Sequence, residues 1–220
     1  MLYIVSTPIG NLEDITFRAV RVLKEVDCIA AEDTRHTQIL LNKYEIKNNV
    51  TSYHSHSSDS KIEKIIELLK EGKSVALVSD AGTPGISDPA YSLVRRAIEE
   101  GIQVSPIPGA SSLLAALVMS GCPMDKFLYL GFLPLKKGRQ TLLTALKDEP
   151  RSIVIFESPH RLNKTLAQLA QYLGPDREIA ICREITKIYE EALRLTLADA
   201  ITHFNDKKPK GEFVLVIKPR

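Results

Sequence analysis

Ser74-Val75-Ala76-Leu77-Val78 leads directly into Ser79-Asp80-Ala81-Gly82-Thr83-Pro84-Gly85-Ile86-Ser87-Asp88-Pro89, and these two adjoining stretches are the most informative part of the sequence. In the first stretch, apolar and β-branched residues follow one another without alternation, which is typical of a parallel strand buried on both faces. The second is a polar turn that brings a carboxylate, hydroxyls and backbone donors to the carboxyl end of that strand. Open α/β sheets bind ligands at such ends. The sequence therefore predicts a ligand-binding loop around Asp80.

The first half of the chain alternates strand-like and helical patterns. This alternation is typical of βαβ units and predicts a parallel sheet. The predicted strands cover Leu2–Thr7, Cys28–Ala31, Asn49–Tyr53, Ser74–Ser79 and Gln103–Ile107, and the predicted helices cover Thr16–Val26, Thr37–Tyr44, Ser60–Glu71 and Ala90–Glu100.

The second half follows an apolar helix, Leu113–Met119, and a turn at residues 121–123. Its last three strands lack the regular helical crossovers of the first half, which favours a mixed sheet. We therefore expect two α/β domains, residues 1–115 with a parallel sheet and residues 116–220 with a mixed sheet. The predicted elements are strands Phe127–Gly131, Ser152–Phe156, Glu178–Arg183, Tyr189–Leu195 and Glu212–Ile217, and helices Gln140–Leu146, Leu162–Tyr172 and Leu197–Phe204.

Polar turns follow all five predicted strands of the first domain. Because parallel strands end at the same edge of a sheet, the five turns are expected to converge on one crevice. They are Pro8-Ile9-Gly10-Asn11, Glu32-Asp33-Thr34-Arg35, His54-Ser55-His56-Ser57-Ser58, the Asp80 loop and Pro108-Gly109-Ala110-Ser111-Ser112.

Composition excludes several protein classes. Hydrophobic residues make up 44% of the chain and charged residues 25%, as in soluble globular proteins. No apolar run is long enough to cross a bilayer, and residues 1–5 lack the pattern of a signal peptide, so a cytoplasmic location without membrane contact is expected. The three cysteines are far apart, which favours free thiols over disulfides or a zinc site. The sequence motifs of dinucleotide, P-loop and zincin sites are also absent.

Charge is distributed unevenly, because basic residues exceed acidic ones only in the second half. Two clusters stand out, Lys136, Lys137 and Arg139 in one and Lys207, Lys208 and Lys210 in the other. Both interpretations stay open: such clusters contact the phosphates of a nucleic acid, or they are merely solvated loops.

Four further groups of polar residues each allow a structural and a functional interpretation. Residues 32–35 form either a helix cap with a local ion pair or part of a site. His54 and His56 offer two metal ligands, but no third ligand is evident and no metal is predicted. Residues 157–161 cap a helix after a core strand, and they also gather groups that hold a phosphate or position a hydroxyl. Residues 183–187 are a solvated ion pair or a second such group.

These motifs, in order, resemble the small-subunit ribosomal RNA cytidine 2′-O-methyltransferases, which belong to the tetrapyrrole methylase superfamily. The resemblance covers essentially the whole chain. It is carried by Thr7-Pro8-Ile9-Gly10-Asn11-Leu12, Ala31-Glu32-Asp33-Thr34-Arg35, Ser79-Asp80-Ala81-Gly82-Thr83-Pro84, Pro108-Gly109, Gly131-Phe132-Leu133-Pro134, Glu157-Ser158-Pro159-His160-Arg161, Arg183-Glu184-Ile185-Thr186-Lys187 and Lys210-Gly211-Glu212.

The resemblance implies a homodimeric, two-domain methyltransferase that binds S-adenosylmethionine in the cleft between its domains. It implies methyl transfer to the 2′-hydroxyl of a cytidine in the decoding centre of small-subunit ribosomal RNA. The superfamily's Gly-Asp-Pro turn is replaced here by Ser79-Asp80-Ala81. By the same resemblance, the cofactor pocket is expected to be lined by Ile9, Asp80, Ala81, Gly82, Thr83, Ser111, Ser112 and Phe156.

Transfer to a ribose hydroxyl needs alignment of the reacting groups and benefits from a base that accepts the hydroxyl proton. We expect Glu32, Asp33, Arg35 and His160 to be the catalytic group, with Asp33 or His160 as the base. Two rival functions stay open: methylation of a tetrapyrrole such as a precorrin, and a noncatalytic RNA-binding module. The expected substrate contacts are Asn11, Glu157, Arg161, Arg183 and Lys187.

Overall fold

The computed structural model describes residues 1–54, 59–88, 90–205 and 208–220. Within these ranges the chain forms two compact units, Met1–Ser111 and Ser112–Arg220. The predicted boundary after residue 115 lies inside the first helix of the second unit, and the predicted domain limits and the cleft between the domains stay predictions. His56, Pro89 and Lys207 lie outside the described residues.

The first unit is a five-stranded sheet in which every described pairing is parallel, in the order β3-β2-β4-β1-β5. This confirms the predicted parallel α/β fold. Its elements are β1 (Leu2–Val5), α1 (Phe17–Glu25), β2 (Cys28–Ala31), α2 (Thr34–Lys43), β3 (Val50–Ser52), α3 (Asp59–Lys70), β4 (Val75–Val78), α4 (Ala90–Glu99) and β5 (Val104–Ile107).

Helices cover both faces of this sheet, which explains why β4 is apolar at every position. Val75 and Leu77 pack in the cluster that includes α3 and α4, whereas Ala76 and Val78 pack in the cluster that includes α1 and α2. Side chains alternate between the two faces of a strand, so a strand buried on both faces has no polar position. The apolar stretch before the Asp80 loop is therefore the central strand of the sheet.

Helix α2 begins at Thr34, one turn before the predicted start at Thr37. Asp33 is its N-cap and accepts a hydrogen bond from the backbone N–H of Arg35 at 2.8 Å. A capping carboxylate satisfies a donor that has no partner within the helix, and this extends the helix to the end of β2.

The second unit is a mixed sheet in the order β6-β7-β10-β8-β9, as predicted. Among the described pairings, only β6 and β7 pair in parallel, and the others are antiparallel. Its elements are α5 (Ser112–Ser120), β6 (Phe127–Phe132), α6 (Arg139–Ala145), β7 (Ser152–Glu157), α7 (Leu162–Leu173), β8 (Glu178–Arg183), β9 (Glu191–Thr196), α8 (Leu197–Phe204) and β10 (Phe213–Ile217).

The two faces of the mixed sheet are covered by different helices. Helices α6, α7 and α8 pack on one face around residues such as Ile155 and Leu215. Helix α5 packs against β8, β9 and β10, and the thiol of Cys182 donates to the carbonyl oxygen of Ala116 at 3.7 Å. Cys122 and Cys182 are buried free thiols, and Cys28 is half-buried.

One close approach in the first unit requires a glycine. A Cβ atom on Gly109 would lie 2.9 Å from the Cβ atom of Ser6 and 3.4 Å from the Ser6 carbonyl oxygen. Ser6 is buried at the end of β1, and its N–H donates to the carbonyl oxygen of Ile107 at 3.2 Å. The exit of β5 is thereby held against the exit of β1.

Gly109→Ala should lower the free energy of unfolding by about 1–3 kcal/mol, because a methyl group would overpack a site where Ser6 cannot move away. Chemical denaturation measures this loss. The control is the same substitution in a Ser6→Gly background, which removes the Cβ atom that the added methyl group would meet. An equal loss in both backgrounds would show that the Ser6 contact is not the cause.

Candidate active site

A backbone bridge joins the ends of β1 and β4. The N–H of Thr7 donates to the carbonyl oxygen of Gly82 at 2.9 Å, and the N–H of Gly82 donates to the carbonyl oxygen of Thr7 at 3.1 Å. The Thr7 hydroxyl also donates to the carbonyl oxygen of Ser79 at 3.1 Å. Residues before and after Asp80, namely Ser79 and Gly82, are therefore both hydrogen-bonded to Thr7 at the end of β1.

Hydroxyl groups extend this junction to the exit of β5. The hydroxyl oxygens of Ser6 and Thr83 are 2.9 Å apart, and the Thr83 hydroxyl lies 3.3 Å from the carbonyl oxygen of Ala110, to which it donates. Gly82 has a φ of +79°, and a Cβ atom there would lie 3.3 Å from Cγ2 of Ile9. Loops after three strands thus meet at one place, with Ile9 as an apolar wall.

The exits of β2 and β4 are joined by a reciprocal pair of backbone-to-carboxylate hydrogen bonds. The N–H of Asp33 donates to Oδ1 of Asp80 at 2.9 Å, and the N–H of Asp80 donates to Oε2 of Glu32 at 3.5 Å. The pairing of Ala31 with Val78 places the two exits side by side. The Asp80 carboxylate therefore holds the turn that carries Glu32 and Asp33.

Asp33 is occupied by its own helix. Besides the N–H of Arg35, its carboxylate accepts from Nε at 3.1 Å and Nη2 at 2.8 Å of the Arg35 guanidinium. These hydrogen bonds hold the pKa of Asp33 well below its ordinary value. The carboxylate stays ionised and its affinity for a proton is low.

Glu32 has the opposite electrostatic environment. Burial raises the pKa of its half-buried carboxyl, and the negative charges of Asp80 and Asp88 raise it further, against the opposing hydrogen bond from the Asp80 N–H. Two adjacent residues of one turn therefore differ in their affinity for a proton. Raised carboxyl pKa values are common where an enzyme needs a base or acid.

Asp88 closes the Asp80 loop. Its Oδ1 atom accepts from the N–H of Gly85 at 2.7 Å and from the N–H of Ala90, the first residue of α4, at 3.0 Å. Ser87, next to it, has a φ of +70°, which is uncommon for a residue with a side chain. The loop ends in a capped helix, and Asp88 adds a further carboxylate to this edge of the sheet.

The cavities of the first unit do not by themselves identify a ligand site. A cavity of about 70 Å³ beside the β4 exit is lined by residues of α2 together with Thr7, Ser79 and Asp80. This volume is well below the roughly 300–1,000 Å³ of most small-molecule sites. A larger cavity of about 540 Å³ lies against α1 and Tyr44 and contains none of the predicted site residues.

In the second unit, the exits of β6, β7 and β8 lie at one edge of the mixed sheet. Phe132 pairs with Phe156, and Glu157 and Arg183 both pair with Phe213 of β10. Three motifs that are distant in the sequence, residues 131–134, 157–161 and 183–187, are thereby brought to the same edge, together with residues 210–212 before β10.

Neighbouring residues of β7 point to opposite faces of the sheet. Phe156 is half-buried, and its ring makes edge-to-face contacts with Tyr129 and Phe132 at centroid distances of 5.2 and 5.8 Å. The Glu157 side chain is fully buried on the other face, where Thr165 of α7 donates to it at 2.5 Å. His160, two residues before α7, is exposed.

The basic residues after β8 are held by local contacts. Nζ of Lys187 bonds to Glu184 at 3.1 Å and to Glu212 at 2.9 Å, and Nε of Arg183 donates to the carbonyl oxygen of Lys210 at 2.7 Å. Gly211 is required here, because a Cβ atom would lie 2.6 Å from the Glu184 side chain. Residues 183–187 and 210–212 therefore form one interlocked structure.

The structure thus joins the predicted site residues in two groups. Within the first unit, Asn11 caps a short 3-10 turn and is exposed, as is Arg35, whereas Ser111 follows Ala110 directly and Ala81 is exposed in the Asp80 loop. Ser112 begins α5 in the second unit. Among the described residues, no three His, Cys, Asp or Glu side chains are grouped as metal ligands would be.

Sequence reasoning missed four residues of these groups. Ser6 lies within a predicted strand, and nothing in the sequence indicates that its hydroxyl contacts Thr83. Asp88 is included only as one residue of the predicted turn, without a role of its own. Arg139 was assigned to an exposed basic cluster, but its side chain is only 6% exposed. Thr165 bonds to both Arg139 and Glu157, and the sequence signal that could have identified it is its position on α7, four residues after Arg161.

The residues at the first edge suit a cationic, partly apolar cofactor such as S-adenosylmethionine. The carboxylates of Glu32, Asp80 and Asp88 give the edge a negative potential, which favours a sulfonium and an ammonium group. Ile9 supplies an apolar contact, and the absence of a side chain at Gly82 lets the backbone of the Asp80 loop lie close to Ile9. The donor set therefore fits the cofactor that the sequence resemblance implies.

Comparisons with known proteins identify the family of this chain. Residues 1–201 match the family of Tetrapyrrole (Corrin/Porphyrin) Methylases. A protein of Thermotoga maritima named ribosomal RNA small subunit methyltransferase I is 53% identical over 98% of this chain and 97% of its own length. A protein of the same name from Bacillus subtilis is 50% identical over 99% of this chain and 75% of its own length.

Solved structures show the same fold at low sequence identity. A diphthine synthase aligns with a TM-score of 0.75 and 16% identity, over 99% of this chain and 89% of its own. A cobalt precorrin-4 methyltransferase aligns with a TM-score of 0.71 and 20% identity, over 98% of this chain and 93% of its own. The family match, and the relatives that align over nearly the whole of this chain, together show that the chain belongs to the tetrapyrrole (corrin/porphyrin) methylase family.

Proposed function

We propose that this protein transfers a methyl group from S-adenosylmethionine to the ribose 2′-hydroxyl of a cytidine in the decoding centre of small-subunit ribosomal RNA. The observation that carries the proposal is the identity of about half, over nearly the whole of this chain, with relatives named ribosomal RNA small subunit methyltransferase I. The sequence motifs support the cytidine and its 2′-hydroxyl as the acceptor. The resemblance to tetrapyrrole enzymes rests on 20% identity or less in the solved structures.

The first-unit edge is the proposed cofactor site. Bound S-adenosylmethionine supplies an electrophilic methyl group on a positively charged sulfur. Asp80, Gly82 and Thr83 form the base of the site, and Ile9 and Ser111 are its proposed walls. Ala81 belongs to the same loop, and Ser112 and Phe156 of the second unit are proposed to complete the site.

Glu32 is the proposed general base. A base must have a useful affinity for the hydroxyl proton, and efficiency falls when its pKa is far below the operating pH. Asp33, one of the two bases expected from the sequence, is bound by Arg35 and has a lowered pKa, whereas burial raises the pKa of Glu32. Asp33 and Arg35 then fix the turn that carries Glu32, and His160 stays the alternative base.

The second-unit edge is the proposed RNA side of the enzyme. His160 is exposed and Arg161, Arg183 and Lys187 are half-buried, so each retains surface that RNA can reach. Asn11 is the proposed substrate contact of the first unit. Glu157 is fully buried, and its contribution to RNA binding is therefore proposed to be indirect, through the residues that it holds.

The homodimer and the cytoplasmic location are also proposals. The first rests on the sequence resemblance, and light scattering of the purified protein measures it directly. The second follows from the proposed ribosomal substrate. Every helix in the described part of the chain is too short or too polar to span a bilayer.

The purified protein should transfer tritium from methyl-labelled S-adenosylmethionine to small ribosomal subunits from a strain that lacks the modification. The labelled RNA should yield an alkali-resistant dinucleotide, because a 2′-O-methyl group removes the hydroxyl that alkaline cleavage requires. Subunits from a strain that already carries the modification are the matched control and should accept little label.

Each rival function gives a different result in this assay. Tight binding to subunits without label transfer would leave only a noncatalytic RNA-binding module. Label transfer to a precorrin-type tetrapyrrole and not to RNA would establish the tetrapyrrole function. Labelled RNA that is fully cleaved by alkali would mean that the acceptor is a base and not a ribose.

Glu32→Gln should lower single-turnover methyl transfer by about 10²–10⁴-fold, the usual contribution of a general base. In the unsubstituted enzyme, kcat/KM should rise with pH through a limb above the ordinary range of a glutamate, because burial raises the pKa of Glu32. The limb should vanish in the variant. Equilibrium dialysis should show that the cofactor still binds, with a loss of affinity far smaller than the loss of rate, because Asp80 and Asp88 keep the edge negative.

Measuring the stability of Glu32→Gln shows whether a lower transfer rate comes from the loss of the base or from unfolding of the protein. A carboxyl with a raised pKa contributes stability below its unfolded pKa, and that contribution is lost as the pH rises through the folded pKa. Glu32→Gln should therefore not destabilise the fold at neutral pH. Asp33→Asn and His160→Ala are the comparison variants, and a full transfer rate in Glu32→Gln would exclude Glu32 as the base.

A further inference from the structure

A buried polar network lies beneath the segment that joins β6 to α6, residues 133–138, which we name the basic loop. Arg139, the first residue of α6, is only 6% exposed. Its guanidinium donates to the carbonyl oxygen of Pro134 at 3.0 Å, to Gln168 Oε1 at 2.8 Å and to the Thr165 hydroxyl at 2.8 Å. A charged group at the start of this helix therefore points inward.

Glu157 completes the network from the end of β7. It accepts a hydrogen bond from Thr165 at 2.5 Å and one from the N–H of Ser158 at 2.8 Å, and it forms an ion pair with Arg161 at 3.3 Å. Arg161 in turn donates to the carbonyl oxygen of Leu133 at 2.6 Å. Two guanidinium groups around one carboxylate thus hold two successive carbonyl oxygens of the basic loop.

This arrangement is a costly way to hold a loop if stability is its only role. Burial removes each charged group from water, and apolar residues of similar volume often stabilise a fold as well or better. Planar guanidinium groups do provide fixed directions for several hydrogen bonds at once. The network therefore defines the geometry of the basic loop more closely than apolar packing would.

The basic loop displays cationic side chains at its tip. Leu135, Lys136 and Lys137 are exposed, and among the described residues neither lysine forms an ion pair with a carboxylate. Lys187, at the same sheet edge, already bonds to Glu184 and Glu212. The two lysines of the loop are thus charges that the described part of this edge leaves uncompensated.

We propose that Lys136 and Lys137 bind RNA phosphates, and that Arg139 and Glu157 are positioning residues that hold them for this contact. The inference rests on the proposed function, since it names how that substrate is bound. Phosphate contacts by lysine release counterions, so each one adds to the dependence of binding on salt concentration. That dependence is a readout that fold stability alone does not change.

The experiment measures kcat/KM for small ribosomal subunits over a series of KCl concentrations. Replacing both lysines, Lys136→Ala with Lys137→Ala, should reduce the slope of log kcat/KM against log salt by about 1–2, close to one for each lost phosphate contact. Cofactor affinity and thermal stability should not change. The matched control is Lys147→Ala with Lys164→Ala, which removes two exposed lysines of the same unit outside the basic loop.

Arg139→Met tests the positioning role. It keeps an unbranched, flexible side chain that can fill most of the space but removes the hydrogen bonds to Pro134, Thr165 and Gln168, so the slope should fall as it does in the double-lysine variant. Combined with Lys136→Ala and Lys137→Ala, Arg139→Met should change the slope no further, because the same contacts are already lost. Arg139→Lys should not restore the slope, since one ammonium cannot reach the three acceptors.

The outcomes separate this inference from the proposed function. An unchanged slope in the double-lysine variant, or an equal change in the control, would overturn the role of the basic loop while methyl transfer to subunits continues. A fully additive effect of Arg139→Met would overturn the positioning role. Absence of transfer by the unsubstituted protein would instead overturn the proposed function itself.

Discussion

The central place of β4 in the parallel sheet is the constraint on which the site in the first unit depends. Because β4 pairs with β1 on one side and with β2 on the other, its exit lies beside both of their exits. Residues directly after these strands can therefore form the Thr7–Gly82 bridge and the Asp80–Asp33 hydrogen bond without long connecting loops. Burial of β4 on both faces drives this placement, since its apolar side chains can be covered only in the middle of the sheet.

The turn after β2 shows how tertiary contacts give adjacent residues different chemistry. Glu32 and Asp33 are both carboxylates at a strand exit, and nothing in the tetrapeptide distinguishes a base from a cap. The Asp33 side chain points toward α2, where hydrogen bonds from Arg35 lower its pKa. The Glu32 side chain is half-buried near Asp80, and both the burial and the negative charge of Asp80 raise its pKa. The proposed base therefore differs from the two that the sequence favoured.

The second unit uses its polar residues differently. Strand alternation places Glu157 inside and Phe156 on the opposite face, so one motif contributes both to a buried network and to an aromatic cluster. The helix cap expected at residues 157–161 is not formed by a side chain, because α7 begins at Leu162 with Arg161 at its N-cap and no side-chain capping hydrogen bond. The Glu157 carboxylate instead accepts the Ser158 N–H and pairs with Arg161, which gathers the charged groups there. In this unit, the buried charges set loop geometry.

The sequence by itself determined the two α/β sheets, the order of their elements and the loops at the strand exits. These features follow from hydrophobic period and turn chemistry, which are local. The sequence did not determine whether a charged side chain at a strand exit points to solvent or into the protein. Arg139 belongs to a basic cluster in the sequence, but in the structure it is buried where α6 packs against α7. Those orientations follow from tertiary packing, because burial and the pKa of a carboxyl depend on neighbours from distant parts of the chain.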